Sequence, residues 1–134
     1  MPHLVILYTP NLEGQVDMAA LCRALADTML AVRDEEGRQV FPTGGTRVLA
    51  YPAAHSAVAD GQGDYGFAYL NVRMGAGRTE ATKKRAGDAL LARAREFFEP
   101  AFARNPAGLT LQIDESPGQV YDGKYSTLHP LFNP

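Results

Sequence analysis

The chain has 134 residues, of which 46% are hydrophobic and 21% charged. These values fit one globular domain and exclude two large domains or a disordered chain. A formal charge of −2, with dispersed basic residues, argues against nucleic-acid binding. The single cysteine, Cys22, cannot form an intrachain disulfide, and no His/Cys set has zinc-site spacing. The sequence shows no export signal and no apolar run of about 18 residues, the length that a membrane-spanning helix needs. We therefore expect a single cytoplasmic domain over residues 1–134.

The first half of the chain is predicted to form a strand, a helix and a second strand. Residues 4–8 are a β-rich apolar run, which predicts a largely buried strand. Residues 17–33 carry an apolar stripe at helical spacing, consisting of Met18, Leu21, Cys22, Leu25, Met29 and Val32. Residues 34–45 are polar and then rich in Pro and Gly, so a surface loop is expected before a strand at 46–51.

The second half repeats that order of elements. Residues 65–72 alternate large and small side chains, which predicts a third strand. Thr79 is the expected cap of a long helix, which Pro100 should kink or end. Its predicted apolar side comprises Ala86, Ala89, Leu90, Ala94, Phe97, Phe98 and Phe102. Residues 109–114 alternate as a fourth strand, either half exposed or facing a partner.

This order predicts an α/β (α+β) fold, a tandem βαβ repeat. Two helices would cover one face of a four-stranded mixed sheet. The other face would remain for a partner, so we expect an oligomer. The turn-rich tail at 117–134 is expected to pack on the domain or on a neighbouring subunit. Its available anchors are Tyr121, Tyr125, Leu128, Leu131 and Phe132.

Pro2 is the first candidate for chemistry. Removal of Met1 would leave a secondary amine, the one form in which a proline nitrogen can act as a base. Such an amine needs an apolar site and nearby cations to lower its pKa. The simpler interpretation is an ordinary second residue, and retention of Met1 would make the nitrogen a non-basic amide.

The histidines and the glycine-rich segments offer weaker signals. His3, His55 and His129 lie far apart in sequence, which favours structural or surface roles over metal binding. Residues 75–78, Gly-Ala-Gly-Arg, lack the third glycine of a dinucleotide fingerprint because Glu80 occupies that place. Residues 60–64 lack the later glutamate of a calcium loop and predict a turn. No cofactor is expected.

Four segments together carry a family resemblance: Pro2-His3, Phe41-Pro42 with Gly45 and Arg47, Ala59-Asp60-Gly61-Gln62 before Asp64-Tyr65, and Gly75-Ala76-Gly77-Arg78. In these segments the chain resembles the 5-carboxymethyl-2-hydroxymuconate isomerases of the tautomerase superfamily. The resemblance covers nearly the whole chain and is most specific over residues 59–78. The main departure is a set of extra residues within 32–40.

The resemblance implies a cofactor-independent isomerase that moves a proton in an unsaturated 2-hydroxy or 2-oxo dicarboxylic acid. It also implies a homotrimer, a catalytic Pro2, and a place in aromatic catabolism through the homoprotocatechuate pathway. The family's two substrate-binding arginines fall on Arg47 and Arg78. A guanidinium fork suits a carboxylate, and Arg78 also lies where a helix begins.

Alternatives remain open at each of these positions. Arg78 could be a solvated first-turn arginine, and Arg47 an edge charge or part of an intersubunit salt bridge. Arg73 is close enough in sequence to be a rival. The same fold could also serve a hydratase or dehalogenase, or a non-catalytic trimeric binding protein.

Overall fold

The computed structural model describes residues 2–132 and contains two successive strand–helix–strand units. The first unit consists of strand β1 (His3–Tyr8), helix α1 (Met18–Ala31) and strand β2 (Arg47–Pro52). The second consists of strand β3 (Gly66–Gly75), helix α2 (Glu80–Arg104) and strand β4 (Ala107–Ser116). The predicted order of elements is confirmed.

All four strands form one mixed sheet in the order β2-β1-β3-β4. Within each unit the two strands are parallel, whereas β1 and β3 meet antiparallel at the centre. A parallel pair needs a crossover connection, and each helix supplies one. The start of β1 therefore lies beside both the start of β2 and the end of β3.

The two faces of the sheet differ in burial. Leu4, Ile6, Leu70 and Val72 are fully buried on the face that packs against the helices. Their strand neighbours point to the opposite side, called the open face, where Leu7 is 46% exposed. The expectation that the first strand is largely buried is confirmed, since among residues 4–8 only Leu7 is exposed. No second layer of the described residues covers the open face.

Each helix begins after a capping residue, and the predicted cap at Thr79 is confirmed. The Asp17 carboxylate accepts a hydrogen bond from the Ala20 N–H at 3.0 Å, and α1 then buries Leu21, Leu25 and Met29. The Thr79 hydroxyl likewise accepts from the Thr82 N–H at 3.1 Å at the start of α2. Among the described residues, neither helix is long and apolar enough to cross a membrane.

Helix α2 departs from the prediction at Ala89, and of the two outcomes expected at Pro100 the end of the helix does not occur. It continues through Pro100 to Arg104, so this proline does not end it. Phe98 and Ala101, on either side, are buried, and their packing offsets the lost backbone hydrogen bond. Ala89 is exposed rather than part of the apolar side.

The loop at 34–45 and the tail also differ from expectation. Val40 and Phe41 are 2% and 1% exposed, so the second half of the predicted surface loop belongs to the core. In the tail, Tyr121 and Tyr125 are 79% and 98% exposed and do not anchor it on this chain. Leu128 is only half exposed and lies in a groove beside α1.

Candidate active site

A small cavity lies at the end of the sheet where β1 begins and β3 ends. Its volume is about 230 Å³. Residues from distant parts of the chain line it, including Pro2, Val40, Phe41, Met74, Arg78 and His129. Pro2 itself is buried. The walls are largely apolar, an environment that disfavours a protonated amine.

Arg78 enters this cavity from the turn between β3 and α2. Gly77 adopts a φ of +111°, a conformation that side chains rarely tolerate, and this turn leads directly into the Thr79 cap. The Arg78 Nη2 donates a hydrogen bond to the Val40 carbonyl oxygen at 2.9 Å. One side of the guanidinium is thus fixed against the cavity wall, which positions its charge.

The segment over residues 32–40 is fastened to the start of α2. A Glu35 carboxylate oxygen accepts hydrogen bonds from the hydroxyls of Thr79 and Thr82 at 2.7 and 2.6 Å. Both bonds lower the pKa of Glu35, and the bond from Thr82 has the larger effect. The Val40 N–H donates to the Val32 carbonyl at 3.1 Å, which closes the segment. The wall that holds Arg78 is therefore tied to the same helix end as Arg78.

A second cavity of about 510 Å³ lies beside the first, and Met74 and Gly75 line both. Its basic side chains are His3, Arg47 and Arg73. His3 pairs in register with Arg47 on one side and with Arg73 on the other. Side chains at such paired positions share a sheet face. This cavity is therefore lined by cationic groups on the open face.

The protonated form of His3 is disfavoured in this second cavity. Burial lowers the pKa of His3 from its ordinary value, and the positive charges of Arg47 and Arg73 lower it further. Neutral imidazole is consequently the dominant form near neutral pH. The positive charge in the second cavity therefore comes from the two guanidinium groups, and the Asp122 carboxylate, which also lines it, opposes them.

The C-terminal turn, His129–Leu131, completes the wall of the first cavity. His129 packs against the Thr43–Gly45 turn, at the buried Gly44. A Cβ at position 44 would lie 2.9 Å from His129 Nδ1 and 3.0 Å from its Cα. A side chain at position 44 would therefore press on His129 and require it to shift.

A sequence model of the 5-carboxymethyl-2-hydroxymuconate isomerase family matches residues 2–132 of the chain. The chain belongs to that family. The Escherichia coli 5-carboxymethyl-2-hydroxymuconate Delta-isomerase is 25% identical to it over 132 residues, which is 98% of this chain and 99% of the relative. The predicted membership of a family of isomerases is confirmed.

Solved structures agree with this assignment. A crystal structure of a 5-carboxymethyl-2-hydroxymuconate delta-isomerase shares 58% identity and a TM-score of 0.94, covering 98% of this chain and 93% of that chain. The isomerase from Deinococcus radiodurans R1 shares 32% identity and a TM-score of 0.85, with the same coverage of 98% and 93%. A macrophage migration inhibitory factor-like protein from Entamoeba histolytica, at 11% identity and a TM-score of 0.52, shares the fold alone.

The structure brings together only part of the predicted site within one chain. Pro2 and Arg78 line the same cavity, whereas Arg47 lines the second one together with its sequence rival Arg73. His129 was expected to be structural or on the surface; it is exposed, and it also lines the Pro2 cavity. No local spacing marks this residue, since it reaches the site from the tail. Among residues 2–132, no cluster of three or more His, Cys, Asp or Glu side chains could hold a metal ion.

Proposed function

We propose that this protein is a cofactor-independent isomerase of an unsaturated 2-hydroxy or 2-oxo dicarboxylic acid of the 5-carboxymethyl-2-hydroxymuconate type. The proposed base is the Pro2 nitrogen, once Met1 has been removed. The observation that carries the proposal is that Pro2 is buried in a small, mostly apolar cavity that also receives Arg78. The relatives with the same family name support the substrate class.

The surroundings of Pro2 suit a base that works near neutral pH. A free amine is ordinarily protonated there, and loss of hydration by burial favours its neutral form. Val40, Phe41 and Met74 supply apolar walls, and the charge of Arg78 acts in the same direction. A neutral Pro2 nitrogen can then accept a proton from the substrate.

The proposed reaction conserves atoms and charge. Pro2 takes the proton of the 2-hydroxyl group, the oxygen electron pair forms the 2-oxo group, and the double bonds of the dienol shift. The displaced electron pair then accepts the proton from the Pro2 ammonium at a carbon atom. The 2-oxo isomer leaves, and Pro2 is neutral again.

Arg78 and Arg47 are proposed to hold carboxylates and to stabilise negative charge on oxygen. Fixed donors perform this electrostatic part of catalysis well, and Arg78 is fixed by its bond to the Val40 carbonyl. Arg47 belongs to the adjoining cavity, which shares the lining residues Met74 and Gly75 with the first. An extended dicarboxylate that spans both cavities could contact both arginines.

We also propose that the protein is a cytoplasmic homotrimer. It would serve aromatic catabolism, because muconate-type acids are products of aromatic ring cleavage. Large apolar side chains remain exposed on the open face, among them Leu49 at 45%, Tyr51 at 48% and Phe67 at 37%. Such a surface is typical of a face that a partner covers. Sedimentation or native mass measurement tests assembly, and a monomer at working concentration would contradict the trimer.

The decisive experiment combines intact-mass analysis of protein from its native source with a dienol ketonisation assay. We expect a mass without Met1 and turnover of 2-hydroxymuconate or its carboxymethyl derivative. Pro2→Ala, also processed at Met1, replaces the secondary amine with a weaker and less rigidly held primary amine, so kcat should fall by part of the roughly 10²- to 10⁴-fold that a general base contributes. Pro106→Ala, at an exposed proline before β4, is the matched control. Full activity of Pro2→Ala, or a fully retained methionine in active protein, would refute the proposed base.

The binding role of Arg78 requires its own variant. Arg78→Gln should raise KM by about 10- to 100-fold, because a charge-assisted hydrogen bond contributes about 1.5 to 3 kcal/mol. Arg95→Gln, at an exposed arginine of α2, controls for loss of a surface charge.

Turnover of phenylpyruvate or of a halogenated unsaturated acid in place of the muconates would assign a different activity of the superfamily.

A further inference from the structure

The cavity that holds Pro2 contains a second polar side chain besides Arg78. Among the described residues that line it, only Arg78 and His129 carry polar side chains, and the others are apolar or glycine. Ligand sites of this kind use a few polar groups in apolar walls to orient the bound molecule. His129 therefore occupies a position from which it can contact the same ligand as Arg78.

The turn that carries His129 is held by hydrogen bonds within the tail and by two side chains that reach a groove beside α1. The Ser126 hydroxyl oxygen accepts hydrogen bonds from the N–H groups of Leu128 and His129 at 3.2 and 3.1 Å. Leu128 and Phe132, on either side of His129, line a groove beside α1 together with Cys22. Leu128 and Phe132 remain 47% and 49% exposed, so each covers part of the groove on one side of His129.

Gly44 makes a specific space for this histidine. The Thr43–Gly45 turn is itself braced, because the Thr46 hydroxyl donates to the Pro42 carbonyl at 2.8 Å. A methyl group at position 44 would lie within 3.0 Å of the His129 backbone as well as its ring. Rotation of the imidazole alone cannot relieve that contact, so the C-terminal turn would have to move.

From these contacts we infer that His129 binds a substrate carboxylate by donating an imidazole N–H hydrogen bond, beside Arg78. The C-terminal turn is then a specificity element of the site, held in register by Gly44. This inference rests on the proposed function for the identity of the substrate, but the binding of a dicarboxylate can be measured without turnover.

The test compares His129→Ala and His129→Gln in the ketonisation assay with 2-hydroxymuconate. We expect the alanine variant to raise KM about 10-fold with a smaller change in kcat, and the glutamine variant, which keeps an N–H donor, to recover part of that loss. His55→Ala, at an exposed histidine far from the cavity, is the matched control. A KM of His129→Ala within two-fold of the wild type, or no recovery by glutamine, would overturn the inference.

Glycine variants test the position of the turn independently. Gly44→Ala should raise KM in the same way as His129→Ala. Combining the two changes should cause little further increase, because each removes the same contact between His129 and the substrate. Gly87→Ala in α2 is the control, since its added Cβ would meet only Ile113 Cδ1 at an ordinary 3.5 Å. Additive effects of the two changes would contradict a shared contact.

Calorimetry with muconate, a dicarboxylate without the 2-hydroxyl group, separates this inference from the proposed reaction. Wild-type protein should bind muconate, and His129→Ala should bind it about 10-fold more weakly. If the wild type turns over no dienol but this difference persists, the proposed reaction fails and the role of His129 stands. Equal binding by both proteins, or no binding by the wild type, would overturn the role of His129 whatever the turnover.

Discussion

Phe41 belongs both to the core and to the wall of the Pro2 cavity, so its replacement should affect stability and catalysis together. Its side chain is 1% exposed, and it lines the cavity beside Pro2. Phe98 provides a matched comparison, because it is a phenylalanine with 0% exposure that lies on α2 and does not line this cavity. We propose the paired variants Phe41→Leu and Phe98→Leu.

The burial of these rings sets the expected size of the effect. An aromatic side chain buries about 150 to 250 Å², worth about 4 to 6 kcal/mol at roughly 25 cal/mol per Å². Leucine keeps most of that area, so each variant should lose about 1 to 1.5 kcal/mol of unfolding free energy. Phe41→Leu should also loosen the ligand cavity and raise KM by about three- to ten-fold, the effect of roughly 1 kcal/mol of lost contact.

Urea denaturation followed by circular dichroism would measure the stability of both variants at one fixed protein concentration, because assembly would make stability concentration-dependent. The ketonisation assay would measure KM on the same preparations. Equal losses of stability with an increase in KM only for Phe41→Leu are expected. A similar KM change in Phe98→Leu, or an unchanged KM in Phe41→Leu, would refute the assignment of Phe41 to the ligand cavity.

Three further predictions concern titration and capping. Burial and the hydrogen bond to Glu13 raise the pKa of Tyr8 from 10.0 to about 12. The unfolding free energy that Tyr8 contributes below pH 10 should therefore be lost as the pH rises through 12. Tyr8→Phe should remove this alkaline component in pH-dependent urea titrations. Because burial and two arginines lower the pKa of His3, stability should fall as pH decreases through 6.5, and His3→Gln should abolish that slope. Asp17→Ala should cost about 1 kcal/mol by removing the cap of α1, measured as a lower urea midpoint.

Much of the secondary structure could be predicted because its signals are local. The stripe at Leu21, Leu25 and Met29 follows helical spacing, and the caps at Asp17 and Thr79 hydrogen-bond as their residue types predict. These interactions join residues three or four positions apart. Local pattern alone failed where distant packing intervened, as at Val40 in the predicted surface loop.

The site was only partly predictable for the same reason. Pro2 and Arg78 were identified through the family resemblance, and the structure places them in one cavity. The separation of Arg47 from that cavity depends on strand register, because Arg47 pairs with His3 on the open face. The role proposed for His129 depends on how the tail folds back over the Thr43–Gly45 turn, which no sequence period encodes.

The sequence by itself determined the type and order of the six main elements, the apolar face of each helix and the absence of any disulfide within the chain. Tertiary structure alone decided the strand order β2-β1-β3-β4, the burial of the loop at Val40 and the approach of His129 to Gly44. The physical reason is that periodicity and capping act within a few residues, whereas register, cavity walls and tail docking arise from contacts between residues far apart in the chain.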